Sequence, residues 1–196
     1  MGRRGHRPAP DPFRVGVGLL RQPQRRDSRL ARAGLPDVTV RPLTDDLTEA
    51  GRRVLQNIAE QHCHVVHVAA DRDGPSFSYT VGLWHHFRQP EVIVFGLEPE
   101  LADDLFDALV ERCVAGERFA TDEKHEGLLV GYAVRFLALA QSAAAPYFGA
   151  ATWAYQGDDY RCLQLVWPDK NRRWPWEEGV RRIFVERQPI IGRRPS

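Results

Sequence analysis

The sequence predicts an α+β fold: a single domain with a largely antiparallel or mixed sheet packed by two or three helices, preceded by a disordered basic N-terminal extension. Two short strand-like runs flank the turn Asp71-Arg72-Asp73-Gly74-Pro75, a fully apolar strand follows at Val92–Phe95, and residues 99–113 carry apolar side chains at helical spacing. Helix, hairpin and buried strand mixed in this way point to helices packed on a sheet rather than to a bundle or a sandwich. The extension is read from charge: residues 1–43 hold ten Arg and three Asp, net +7, whereas residues 44–196 hold 17 basic and 23 acidic residues, net −6.

In the extension, Pro8, Pro10, Pro12, Pro23, Pro36 and Pro42 are separated by few apolar residues. Such a segment cannot bury enough surface to offset the entropy of ordering it, so residues 1–43 read as disordered. An alternative use is a basic arm for nucleic acid or another acidic surface, since arginine suits phosphate geometry. No apolar stretch follows Arg3-Arg4 as an export signal would require, and Ser28 is the only serine before residue 44, which excludes a transit-peptide composition. The expected location is the cytoplasm.

The body, 44–196, reads as one domain. A helix follows Thr44, capped by Asp45 or Asp46, with Leu47, Ala50, Val54 and Ile58 on one face. Residues 64–69 and Ser76–Leu83 form a hairpin, the second strand turning Phe77, Tyr79, Val81 and Leu83 to one side and Ser76, Ser78, Thr80 and Gly82 to the other. Val92–Phe95 is central. Pro99 opens a long helix whose apolar face carries Leu101, Leu105, Phe106, Leu109, Val110 and Cys113, with Asp103, Asp104, Asp107 and Glu111 facing water and Gly116 ending it. Leu128–Leu139 reads as one strand with a bulge at Gly131. Residues 143–155 are ambiguous between helix and strand, Arg161–Trp167 is a strand, and a short helix is expected near Glu177–Phe184.

The chemistry-bearing residues are sparse. Cys63, Cys113 and Cys162 are an odd count with no close pair, which excludes a disulfide framework and a cysteine-rich zinc site. Along a strand His64 and His67 point to opposite faces, so His62-Cys63-His64 offers two ligands on one side where a metal wants three or four. His85 and His86, expected in a loop, are the only route to a richer cluster. No metal and no cofactor are expected. No nucleophile elbow and no phosphate-binding glycine loop occur, which argues against familiar serine hydrolases, P-loop NTPases and Rossmann enzymes. Three Trp and two Pro fall between Trp167 and Trp176, next to Asp169 and Glu177, a composition that suits a pocket rim, a partner surface or a cap on the open end of the sheet.

Three blocks carry a resemblance: Phe77-Ser78-Tyr79-Thr80-Val81-Gly82-Leu83, then Gln89-Pro90-Glu91-Val92-Ile93-Val94-Phe95-Gly96-Leu97, then Gln164-Leu165-Val166-Trp167-Pro168-Asp169 with Pro175-Trp176 behind it. Their order and spacing resemble the bacterial family called domain of unknown function 4262, over roughly residues 58–191. The resemblance implies a small bacterial cytoplasmic domain and brings no catalytic residue with it.

Tyr79, Glu91, Gln164, Trp167, Asp169 and Trp176 are therefore the candidate pocket or binding residues. Glu91 is inexpensive if it sits at a wet sheet edge, Gln164 needs amide partners if buried, and Asp169 leaves the sheet after Pro168 either to close its own turn or to enter a cavity. Two functions follow. The first is a binding or interaction module, of regulatory or toxin-neutralising type, with a protein or small-molecule partner and no membrane. The second is a small-molecule enzyme using Glu91, Asp169 and a histidine (His64, His85 or His125) as acid–base groups in an aromatic-lined pocket.

Overall fold

The computed structural model describes residues 39–121 and 123–194. The expectation of disorder for residues 1–38 lies outside them. Its last few residues lie inside: Val40 packs on the core, and Arg41 donates from its backbone to the Ala154 carbonyl at 2.7 Å with its guanidinium over the Trp153 ring.

Helix α1 (Glu49–Gln61) is capped by Thr48, whose hydroxyl accepts from Gly51 N–H at 3.1 Å. The cap thus falls beyond Asp45 and Asp46, and Leu47 stands outside the helix, because the Thr48 hydroxyl meets the third helical N–H. Strands β1 (His64–Val68) and β2 (Phe77–Val81) form the expected hairpin, pairing His67 with Ser78. The second strand stops earlier than its alternation predicts: Leu83–Phe87 is a one-turn helix, α2, and His85 and His86 lie on it rather than in a loop. Strand β3 (Glu91–Phe95) is central, and helix α3 (Pro99–Val114) follows with Pro99 in its first turn. Its buried face is Ala102, Leu105, Phe106, Leu109, Val110 and Cys113, while Leu101, expected inward, is 48% exposed.

The predicted single strand over 128–139 is a hairpin of β4 (Lys124–Leu129) and β5 (Tyr132–Leu139). Gly131, at φ 78°, makes its two-residue turn with Val130, and no bulge lies there. The ambiguous stretch resolves as helices α4 (Gln141–Ala144) and α5 (Gly149–Tyr155), with Pro146 in the connection. Strand β6 (Cys162–Val166) is followed by a long tail containing α6 (Arg182–Arg187), further on than the sequence places it.

The sheet is mixed, in the order β1-β2-β3-β6-β5-β4, with β3 and β6 parallel and the other pairs antiparallel. Helices α1 and α5 cover one face through Val54, Leu55, Ile58, Phe77, Tyr79, Ile93 and Phe95. Helix α3 covers the other through Leu105, Leu109, Val92, Val94, Phe136 and Leu165. Strands buried on both sides are apolar throughout, which explains Val92–Phe95. The same sandwiching buries Ser78 and Thr80, which the alternation of β2 had turned away from the core.

Candidate functional site

Glu91 is fully buried on the central strand, not at a wet edge. Four donors make this possible: its carboxylate accepts from Thr80 Oγ1 at 2.6 Å, Gly82 N–H at 2.9 Å, Trp84 N–H at 3.0 Å and the Tyr155 hydroxyl. No histidine is among them. Burial raises its pKa, opposed by those four bonds. Gly82 is held at φ 129°, where a Cβ would lie 2.6 Å from the His62 carbonyl oxygen, so the Val-Gly-Leu step of the motif brings backbone donors against Glu91 in a conformation only glycine reaches readily. The cluster pins α2 and α5 to the start of β3.

Tyr79 is likewise internal. Its hydroxyl accepts from Ala150 N–H at 3.2 Å at the start of α5, and burial pushes its pKa up to about 12. Gln164 finds the partners its burial demands: Nε2 donates to the Pro189 carbonyl at 2.7 Å, and Oε1 accepts from Ile191 and Gly192 N–H at 2.9 Å each. Gln188 repeats the device, its amide pairing with both backbone groups of Trp167, whose indole N–H donates to the Phe95 carbonyl at 3.0 Å. Together these bonds lay the C-terminal tail across the sheet.

Asp169 closes its own turn. Oδ1 accepts from Asn171 and Arg173 N–H at 2.8 and 2.9 Å, and Oδ2 takes the Arg173 guanidinium through Nε at 3.0 Å and an Nη at 2.8 Å. Desolvation raises its pKa, but these bonds outweigh it and the net direction is down. Trp176 stacks on Trp174 at 5.7 Å, and Arg135 lies over Trp174, so these rings cap the sheet's end. The turn-closing alternative is the geometry found, and Tyr79, Glu91, Gln164 and Asp169 do not gather around one cavity.

The histidines divide as well. His62 meets His86 edge to face at 4.9 Å, and His86 meets His85 at 4.6 Å, while His86 Nε2 bonds the Ile58 carbonyl at 2.8 Å. His64 pairs with Asn57 at 2.9 Å, with its pKa lowered to about 4 chiefly by burial. His125 bonds the Ala120 carbonyl between the Phe119 and Phe136 rings. Among the described residues, no three His, Cys, Asp or Glu side chains form a group able to hold a metal.

Sequence reasoning missed one suggestive chain. His67 bridges Ser78 Oγ, at 2.8 Å from Nδ1, and Asp103 Oδ1, at 3.0 Å from Nε2. The residue types are those of a Ser-His-Asp triad with the two ring nitrogens exchanged, and Ser78 is 3% exposed and faces α3 from mid-strand, where a substrate carbonyl has no access. The cross-strand register of His67 with Ser78 was its only sequence signal, and it ties the edge strand β1 to α3.

A cavity of about 390 Å³ lies at the end of the sheet where β3 and β6 begin and β5 ends. Pro90, Ala138, Leu139, Cys162 and Leu163 supply apolar wall, Thr121, Gln141 and Arg161 supply polar groups, and Tyr160 adds a ring whose hydroxyl is bonded to Thr152 and the Phe148 carbonyl. None of the six candidate residues lines it. Its shape follows from the ladder: Glu91 N–H donates to the Arg161 carbonyl at 2.8 Å, setting the two strand starts side by side. The side chains of Thr121, Gln141 and Arg161 make no hydrogen bond or ion pair among the described residues. No sequence pattern singled them out, because they come from three separate connections.

The fold and site define a three-layer domain with a mixed sheet, internally fastened by its motif side chains and open at one end. Residues 57–181 match the family described as Domain of unknown function (DUF4262), and the chain belongs to that family. No curated protein and no solved structure matches it. No described helix is long and apolar enough to cross a membrane.

Proposed function

We propose that this protein is a binding module of regulatory type that takes a small molecule into the cavity at the start of β3 and β6. One observation carries the reading. Glu91, Gln164 and Asp169 of the shared blocks are engaged by their own chain, whereas Thr121, Gln141 and Arg161, three of the four polar side chains lining the cavity, have no partner among the described residues. The fourth, Tyr160, is bonded to Thr152 and the Phe148 carbonyl. A concave, mostly apolar site with a few unengaged polar groups is the ordinary form of a small-molecule site, and 390 Å³ lies at the small end of the usual range of about 300–1,000 Å³. The walls are rigid, because Glu91 and Gln164 fasten what surrounds them.

Three buried, unpaired thiols support a cytoplasmic location for this role. The basic arm stays a separate proposal: nucleic-acid binding through it is tested by salt-sensitive binding that a chain starting at residue 39 lacks.

A fragment library screened against the full chain by ¹H–¹⁵N NMR tests the cavity. Binders should shift the amides of Leu139, Cys162 and Leu163. The Ala138→Trp variant fills the cavity from an exposed strand position and should abolish those shifts. Equal binding to both proteins would overturn the reading.

A further inference from the structure

Among the described residues Arg161 is the only charged one lining the cavity, and its guanidinium forms no ion pair with any of them, although Asp158 and Asp159 precede it by three and two residues. It stands at the start of β6, exposed, while Cys162 and Leu163 immediately after it are buried and apolar. The cavity therefore sets an exposed cation beside apolar lining, with Leu139 and Cys162 from one face of the sheet, Leu163 from the other, and Pro90 between the strand starts. Burial raises the Cys162 thiol's pKa, so it stays neutral and sets no anion against Arg161.

The neutral groups near the cation match it. Gln141 brings an amide and Thr121 a hydroxyl, each able to donate. The segment that carries Thr121 is fixed to the segment that carries Pro90 by Gln89, whose Oε1 accepts from Phe119 N–H at 3.1 Å. Gln89 is 1% exposed and its Nε2 has no partner among the described residues, which leaves one more donor behind this wall. A buried donor without a partner is uncommon, since more than nine in ten find one.

Resting on the binding reading above, we infer that the cavity's ligand is a small monocarboxylate with an apolar tail, its carboxylate on the Arg161 guanidinium and its tail against Leu139 and Pro90. A guanidinium fork accepts a carboxylate through two parallel bonds. One cation with neutral donors balances one negative charge, whereas a phosphate dianion asks for further cations, and among the described residues the lining holds one. The apolar lining discriminates against acetate-sized acids and against polar ones, because only an apolar tail gains by leaving water there.

Titration of the full chain with hexanoate, its neutral isostere hexanamide, and inorganic phosphate tests this. Hexanoate should bind and shift the Leu139, Cys162 and Leu163 amides, with hexanamide about 10-fold weaker or more and phosphate weaker still, the loss expected when a charge-assisted bond becomes a neutral one. Arg161→Gln should weaken hexanoate by about 10-fold or more and leave hexanamide unchanged. Hexanamide binding as well as hexanoate, or Arg161→Gln leaving hexanoate unaffected, would overturn the carboxylate inference while leaving the cavity a binding site. Phosphate binding best would overturn it in favour of a phosphoryl ligand. Failure of all three probes on a chain whose fragments still depend on Ala138 would overturn the ligand class alone; failure of the fragments too would remove the binding reading with it.

Discussion

Glu91 and Arg161 are joined by a backbone hydrogen bond at the start of two neighbouring strands, yet their side chains lead opposite lives. The Glu91 carboxylate is buried under four donors from β2, the α2 turn and α5. The Arg161 guanidinium, one position from a buried cysteine, is exposed beside a cavity and pairs with none of the described residues. The first belongs to a motif and the second to none. A polar group that is both buried and satisfied fixes the architecture; a polar group left unengaged at a concave surface is where a ligand finds a partner. The motif residues and the site residues of this domain are therefore different residues, and substitutions should separate them.

The largest loss is expected at Glu91. Glu91→Ala leaves Gly82 N–H, Trp84 N–H and two hydroxyls without their acceptor and should cost about 3–5 kcal/mol by denaturant unfolding. Glu91→Gln keeps an acceptor and should cost less. The raised pKa fixes the pH sign: in the folded chain the neutral carboxyl is favoured, so the favourable contribution is full below the ordinary value of 4.5 and is lost as pH rises through the folded value. Wild-type stability should fall over that rise relative to Glu91→Gln, and parallel curves would show that the Glu91 pKa is the same in the folded and unfolded chain.

Gln164→Leu comes next, at about 2–3 kcal/mol, since Ile191 N–H, Gly192 N–H and the Pro189 carbonyl lose their partner. The damage should be local. Amide exchange should quicken across residues 188–193 before it quickens in β3, and uniform acceleration would mean that the tail is not a separate layer.

Asp169→Asn should lower the melting temperature by less than Gln164→Leu, because the asparagine oxygen still accepts the turn N–H groups while the ion pair with Arg173 is lost. Asp169 has a depressed pKa, so its contribution is present above the ordinary value of 3.8 and disappears as pH falls through the folded value. The gap between the two melting curves should therefore close in acid. A gap that is constant with pH would assign the effect to packing instead.

The smallest effects are expected at the cavity. Arg161→Gln and Thr121→Ala remove no internal bond and should change stability by no more than about 0.5 kcal/mol. Destabilisation comparable to that of Gln164→Leu would place these residues with the fasteners and dissolve the contrast.

Periodicity alone determined several elements. Val92–Phe95 is a buried strand because four consecutive apolar β-formers fit nothing else so well, and 99–114 is a helix because Leu105, Phe106, Leu109, Val110 and Cys113 repeat at its spacing behind a first-turn proline. The β1–β2 hairpin was legible in its Gly-Pro turn. Gln164 was legible only conditionally, as an amide that needs partners if buried mid-strand among apolar neighbours, and the structure supplies the burial.

What the sequence could not carry is which partner each group meets, because those partners are remote in the chain. Gln164 is satisfied 25–28 residues downstream, Tyr155 reaches Glu91 across 64 positions, and neither span leaves a local signature. Glu91 looked like a wet edge residue because its burial depends on β6 docking in parallel beside it, a non-local pairing that no period in 91–95 records. Val130-Gly131 hid a hairpin turn inside an apolar run, since valine is a poor turn residue and only the pairing of β4 with β5 exposes the reversal. The cavity was the least legible of all: Thr121, Gln141 and Arg161 come from three connections and share a wall only because three strand ends meet there. Local spacing decides what a segment becomes, and only tertiary packing decides which polar groups are used up and which are left facing a ligand.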